Sequence, residues 1–196
     1  MRHLLCLSLM LPLATAGPDG NADARRTRPD HAPTPFTAEE IRKACAEGRT
    51  DTYRIEIRSE KPAKYTIKFL KCDAEGAEVE STNTLEDGTS KTTKDRQAWI
   101  DFQAHASFPE VDTKITEETV EVPAGKFECW LYTVQKREGD AATIRMHFAK
   151  KLPGPPVKMT SEEAGKVVFT MTLLEHQDGK KEEEKAPEKG KEPGKG

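Results

Sequence analysis

The residues whose types suit chemistry are two histidines, His105 and His147, three cysteines, Cys45, Cys72 and Cys129, and two adjacent carboxylate pairs, Glu117 with Glu118 and Glu162 with Glu163. A histidine that moves protons needs a partner within hydrogen-bond reach of its ring, and the spacing around His105 and His147 names none. A nucleophilic thiol needs an electropositive neighbour or a paired histidine. Cys129 instead stands between Phe127 and Leu131, where it reads as a small buried hydrophobe. Each pair points to opposite faces of a strand or lies in a turn, so neither resembles an acid and base set across a substrate.

The compact motifs of catalysis and metal binding are missing as well. The chain has no Gly-x-Ser-x-Gly elbow, no glycine-rich phosphate loop, no His-Glu-x-x-His helix, and neither a Cys-x-x-Cys nor a His-x-x-x-His pair. No catalytic residue, metal ligand or cofactor is expected. A formal net charge of −3 and a pI near 6.0, with both signs interspersed, provide no basic face for nucleic acid.

The beginning of the chain has the order of a secretory signal. Met-Arg-His precedes an apolar run from Leu4 to Leu13, and Ala14-Thr15-Ala16 leads to Gly17, so cleavage is expected after Ala16. The run is about half of the roughly twenty residues that span a bilayer as a helix. Cys6 lies inside it without the small residues that precede a lipid-attachment cysteine, which favours a secreted or periplasmic protein over a lipoprotein. Residues 17–35 are polar and proline-rich and are expected to form a disordered leader. The end of the chain, 177–196, is rich in Lys, Glu, Pro and Gly, and is expected to be a disordered, nearly neutral tail. Between them, 36–176 has the length of one domain.

An oxidising compartment allows disulfides, and three cysteines leave one thiol over. Cys45 and Cys72 form the expected pair, since each falls at the end of an element.

Phe36 to Ile41 is a helix start, with Thr37 as cap, Glu40 completing a capping box and Phe36 able to staple against Ile41. From Asp51 the apolar period changes to two: Tyr53, Ile55 and Ile57, then Tyr65, Ile67 and Phe69 after the Lys61-Pro62 break. Asp73-Ala74-Glu75-Gly76 and Glu86-Asp87-Gly88 read as turns closed by left-handed glycines. The polar hairpin between and after them, with Lys91 and Lys94, reads as a sheet edge. Ala98, Trp99, Phe102 and Ala106 share one stripe of a second helix expected between Asp95 and Phe108. The strand from Thr113 to Val122 places Ile115 out of phase with Val120 and Val122, which predicts a bulge near Glu117 and Glu118. Pro123-Ala124-Gly125 is a turn, and the strand from Lys126 to Lys136 is apolar on both faces and expected to be central. Strands through Ile144, Met146 and Phe148, through Val157 and Met159, and from Val167 to Leu173 complete the domain. The sum is a mainly β (α+β) fold: an antiparallel up-and-down curled sheet or half-barrel of eight to nine strands with two short helices.

Glu118 to Phe127, followed by Phe148-Ala149-Lys150 and Leu152-Pro153-Gly154, resembles uncharacterised exported bacterial β-rich proteins of unknown function. More distantly the chain resembles periplasmic half-barrel carriers of the lipoprotein-localisation type. That resemblance implies an open barrel that holds acyl chains, with helices across its mouth.

Two functions follow as expectations. One is a non-enzymatic exported protein that binds a lipid or other apolar small molecule, with Trp99, Phe102, Trp130 and Tyr132 lining the pocket and His105 or His147 beside it. The alternative is a structural or protein-interaction module of the cell envelope that uses its charged arms.

Overall fold

The computed structural model describes residues 23–136 and 141–180. The expected signal, the first residues after it, the Glu138-Gly139-Asp140 turn and the chain from 181 onward lie outside the described residues.

Helix α1 (Ala38–Ala44) begins as its sequence dictates. The Thr37 hydroxyl accepts from the Glu40 amide while the Glu40 carboxylate accepts from the Thr37 amide, so two otherwise unpaired donors are satisfied. Its inward face buries Ile41, with Cys45 just past its end.

The strands are β1 (Thr50–Ile57), β2 (Ala63–Cys72), β3 (Gly76–Leu85), β4 (Ser90–Ala98), β5 (Thr113–Val122), β6 (Gly125–Lys136), β7 (Ala142–Ala149), β8 (Lys158–Glu163) and β9 (Lys166–Gln177). They form one unclosed sheet in the order β4-β3-β2-β1-β9-β8-β7-β6-β5, with every pairing antiparallel. Two meanders, β1–β4 and β5–β9, are therefore fused where the first strand pairs with the last. The link between them carries helix α2 (Trp99–Ala104) and a 3-10 turn (Glu110–Asp112) over the concave face. β6 is flanked by β5 and β7 and lies one strand from the edge rather than at the centre.

The polar hairpin is an edge as expected, with β4 exposed along nearly its whole length. Its pairing with β3 runs to Gly76 opposite Ala98, so residues 95–98, expected in the second helix, remain strand. The first turn is closed by Asp73, whose Oδ1 accepts from the amides of Glu75 and Gly76 at 3.0 and 3.1 Å. Gly76 does not have a positive φ there. It is required because a Cβ would lie 2.1 Å from the Gln97 carbonyl oxygen.

No bulge occurs in β5. Its register with β6 is one-to-one from Thr113 opposite Val134 to Val122 opposite Gly125. The phase change has another cause: Ile115, opposite Tyr132, packs on one buried cluster, while Val120 and Val122 point to the other face and join a second. The first cluster lies between sheet and helices around Phe36, Phe69, Trp99 and Phe148. The second surrounds Tyr53, Cys129, Val157 and Leu173.

Residues 23–35 are packed rather than loose. Ala32 and Thr34 are buried, Ala32 N donates to Phe108 O at 2.9 Å, and Tyr132 Oη donates to Pro33 O at 2.6 Å. Gln103 Nε2 donates to Ala24 O at 2.9 Å, and Arg26 forms a two-pronged pair with Glu110 at 2.9 and 3.2 Å. These partners, all remote in sequence, satisfy the polar groups and offset the entropy that composition alone would leave unopposed. The start of the expected tail is also fixed, since Gln177 ends β9 and Lys180 N donates to Glu47 O at 2.8 Å.

Candidate functional site

Helices α1 and α2 bridge one half of the concave face and leave beneath them a cavity of about 380 Å³. That is the size of small ligand pockets in general. The floor is sheet: Ile67 and Phe69 of β2, Ile144, Met146 and Phe148 of β7, Met159 of β8 and Met171 of β9. The walls are Phe36, Ile41 and Cys45 around α1, Phe102 and His105 at α2, and the rigid Gly154-Pro155-Pro156 connection.

Edge-on and tilted aromatic contacts set the shape. Phe102 lies 5.9 Å from Phe69 and 5.5 Å from Trp99, and Phe148 packs edge-on against Phe36 and Tyr132 at 6.4 and 5.3 Å. Gln103 joins the two helices and the N-terminal strap. Its Oε1 accepts from Ala38 N at 2.7 Å, and its Nε2 donates to Thr34 Oγ1 at 3.1 Å as well as to Ala24.

Of the aromatics expected to line a pocket, Phe102 does so. Trp99 is buried beside it, with Nε1 donating to Asp73 O at 2.9 Å. Tyr132 is wholly buried and holds Pro33. Trp130 is half-buried, and Lys150 Nζ sits 4.0 Å from its ring centroid, a cation–π contact.

His105 reaches the cavity wall, 6.3 Å from the Phe102 ring. His147 does not: it stands opposite Leu131, on the face turned away from Tyr132 and Phe148. There its Nε2 meets Glu118 Oε2 at 3.2 Å, and its Nδ1 is buried without a hydrogen-bond partner. The carboxylate pairs are split as strand geometry requires. Glu117 pairs with Lys150 at 2.7 Å and Glu162 with Arg145 at 3.1 Å.

Cys45 and Cys72 are free thiols, so the expected bridge is not formed. Cys45 turns toward Arg49, whose Nη1 lies 3.3 Å from its Sγ. Burial pushes the thiols of Cys45, Cys72 and Cys129 up to about 11, which keeps them protonated and unreactive near neutrality. No group of three His, Cys, Asp or Glu residues among the described residues is arranged to hold a metal ion.

Behind Cys45 lies a buried polar network that the sequence did not announce. Arg49 and Asp51 are both almost fully buried and pair through two guanidinium nitrogens, at 2.9 and 3.0 Å from Asp51 Oδ2. Arg49 Nη1 also donates to Pro153 O at 2.7 Å. The close passage of the guanidinium leaves no room at Gly154, where a Cβ would come within 3.0 Å of Nη2. The network joins α1, β1 and the proline connection that forms one cavity wall.

Beyond the helices the concave face is open. Register places Ile55, Ile57, Leu85 and Phe169 on the same face as Met171, with Ile57 42% and Leu85 47% exposed. Among the described residues no helix is long and apolar enough to cross a membrane.

No family model matches the chain, and no curated protein matches its sequence. Solved structures do match its fold. The complex of Pseudomonas aeruginosa MucA/MucB is 10% identical with a TM-score of 0.53, covering 74% of this chain and 57% of that one. MucB in complex with MucA(peri) is 10% identical with a TM-score of 0.51, covering 72% and 54%. MucB itself is 11% identical with a TM-score of 0.51, covering 78% and 61%. The chain thus spans between about half and three-fifths of the structures it matches, and at these identities the likeness is one of fold.

Proposed function

We propose that this protein is a non-enzymatic, exported protein-interaction module that receives an apolar stretch of a partner protein along the open half of its concave face. The observation that carries the reading is the strip of Ile55, Ile57, Leu85 and Phe169, continuous with the cavity floor, in which Ile57 and Leu85 are exposed and Ile55 and Phe169 half-buried. Large apolar side chains grouped on one sheet face outside the helical cover are what a partner's side chains would bury. That two of the matched structures are complexes of MucB with MucA supports a binding role for the fold.

The test is a photo-crosslinking residue introduced at Ile57 and, as a control on the opposite face, at Arg54, followed by irradiation in the native envelope. A discrete protein adduct from position 57 that is absent from position 54 is expected. Equal labelling from both, or no protein adduct from 57, would overturn the reading.

The cavity favours a second reading, an apolar small ligand held under α2, with Phe102 in its wall. Native mass spectrometry of the purified protein separates the two. A bound apolar mass or uptake of a fatty acyl probe supports the second, and a strictly ligand-free species that takes up no probe removes it.

A further inference from the structure

The cavity floor contains an arrangement that neither reading uses. The chain has five methionines. Met1 and Met10 precede the expected cleavage point, and each of the other three, Met146, Met159 and Met171, lines the cavity. They are also in register: Met146 stands opposite Met159 on β7 and β8, and Met159 opposite Met171 on β8 and β9. Directly opposed residues of adjacent antiparallel strands have Cβ atoms about 4.5–5.5 Å apart. Three thioethers on flexible side chains therefore stand in one row across three adjacent strands, all of them lining the same cavity.

Methionine is an ordinary filler of core gaps, and a single one here would need no other explanation. The row differs from filler in two respects. Only Met146 is fully buried, while Met159 and Met171 keep part of their surface accessible. The three side chains also line one cavity rather than being scattered through the core.

We infer that the Met146–Met159–Met171 row is a binding site for a soft monovalent metal ion, Cu(I) or its redox-inert analogue Ag(I), held by three thioether sulfurs. Soft sulfur ligands select Cu(I), whereas hard cations such as Ca²⁺ and Mg²⁺ require oxygen. Thioethers carry no titrating proton, so binding at this row persists into acid, where thiolate and imidazole sites are lost.

The experiment is an Ag(I) titration of the signal-free chain labelled with ¹³C at the methionine methyl groups, followed by NMR. The methyl carbon is bonded to the sulfur that would bind, so its shift reports ligation directly and separates it from silver taken up by the three thiols. The three methyl signals are expected to move together and saturate at one equivalent, and Met159→Leu, which preserves apolar volume, is expected to weaken the response of the other two at least about tenfold. Methyl signals that stay fixed while silver is consumed elsewhere, or that move independently at different stoichiometries, would overturn the site. Neither result bears on the crosslinking outcome at Ile57, so the two proposals fail separately.

Discussion

Asp51 and His176 meet across the pairing of the first and last strands, Oδ1 to Nδ1 at 2.5 Å, while the other oxygen of Asp51 holds Arg49. Asp51 thus has partners from the loop after α1 and from the far end of β9, and it does so fully buried. A buried carboxylate is sustained only where its charge and its lone pairs are both matched.

Asp51→Ala is accordingly expected to cost about 3–5 kcal/mol, because it leaves the Arg49 guanidinium buried and unmatched. Replacing both members, Arg49→Met with Asp51→Leu, is expected to recover much of that loss. Urea unfolding followed by circular dichroism measures both, and a single variant as stable as wild type would contradict the paired geometry.

Tyr132→Phe removes the donor to Pro33 O and is expected to cost about 1 kcal/mol. Because that bond anchors the 23–35 strap, the variant should also be cut faster by proteases within the strap. Unchanged cleavage would mean that the strap is held elsewhere.

Thr37→Ala removes one half of the capping box and is expected to destabilise by about 1 kcal/mol, within the usual range for lost caps. Thermal melts compare it with Glu39→Ala, which leaves the box intact.

Gly76→Ala is expected to be severe for one methyl group, about 1–3 kcal/mol or more, because the new carbon meets backbone rather than a movable side chain. Amide chemical-shift changes should concentrate at the β3–β4 pairing and the start of α2. Shifts confined to the Asp73 turn would rule out the close approach to Gln97.

The thiols give a pH dependence with a definite sign. Burial raises Cys45 from 9.0 to about 11, so its contribution to stability is fully present below about pH 9 and is lost as pH rises through about 11. In Cys45→Ala this alkaline loss should be smaller. Thiol titration of the unfolded signal-free chain should count Cys45, Cys72 and Cys129 all as free; a count of one would restore the Cys45–Cys72 bridge.

Much of the fold was legible in local pattern. The Thr37–Glu40 box, the alternation through Tyr53 and Ile55, and the turn at Pro123-Ala124-Gly125, where Gly125 has φ +138°, are decided by neighbours in sequence. What was not legible depends on partners far along the chain. The 23–35 strap looks disordered until Gln103 and Tyr132 accept its company. The phase change in β5 looks like a bulge until both faces of the sheet are known to be covered. Ala98 fits a helical stripe, but its place opposite Gly76 keeps it in β4.

The candidate site divides in the same way. Phe102 could be picked out by its helical stripe, whereas alternation alone could not tell which strands would be neighbours. The methionine row appears only once β7, β8 and β9 are aligned in register.

The adjacency of β1 and β9 also governs how the molecule can assemble. Thr50 aligns with Gln177, so the seam joining the two meanders brings together residues 127 positions apart in the chain. Contacts of such long sequence separation form late and slowly. While the polypeptide is still emerging, β1 presents one unpaired edge and an apolar face, and that intermediate must be kept from self-association until the last strand arrives to zip it shut.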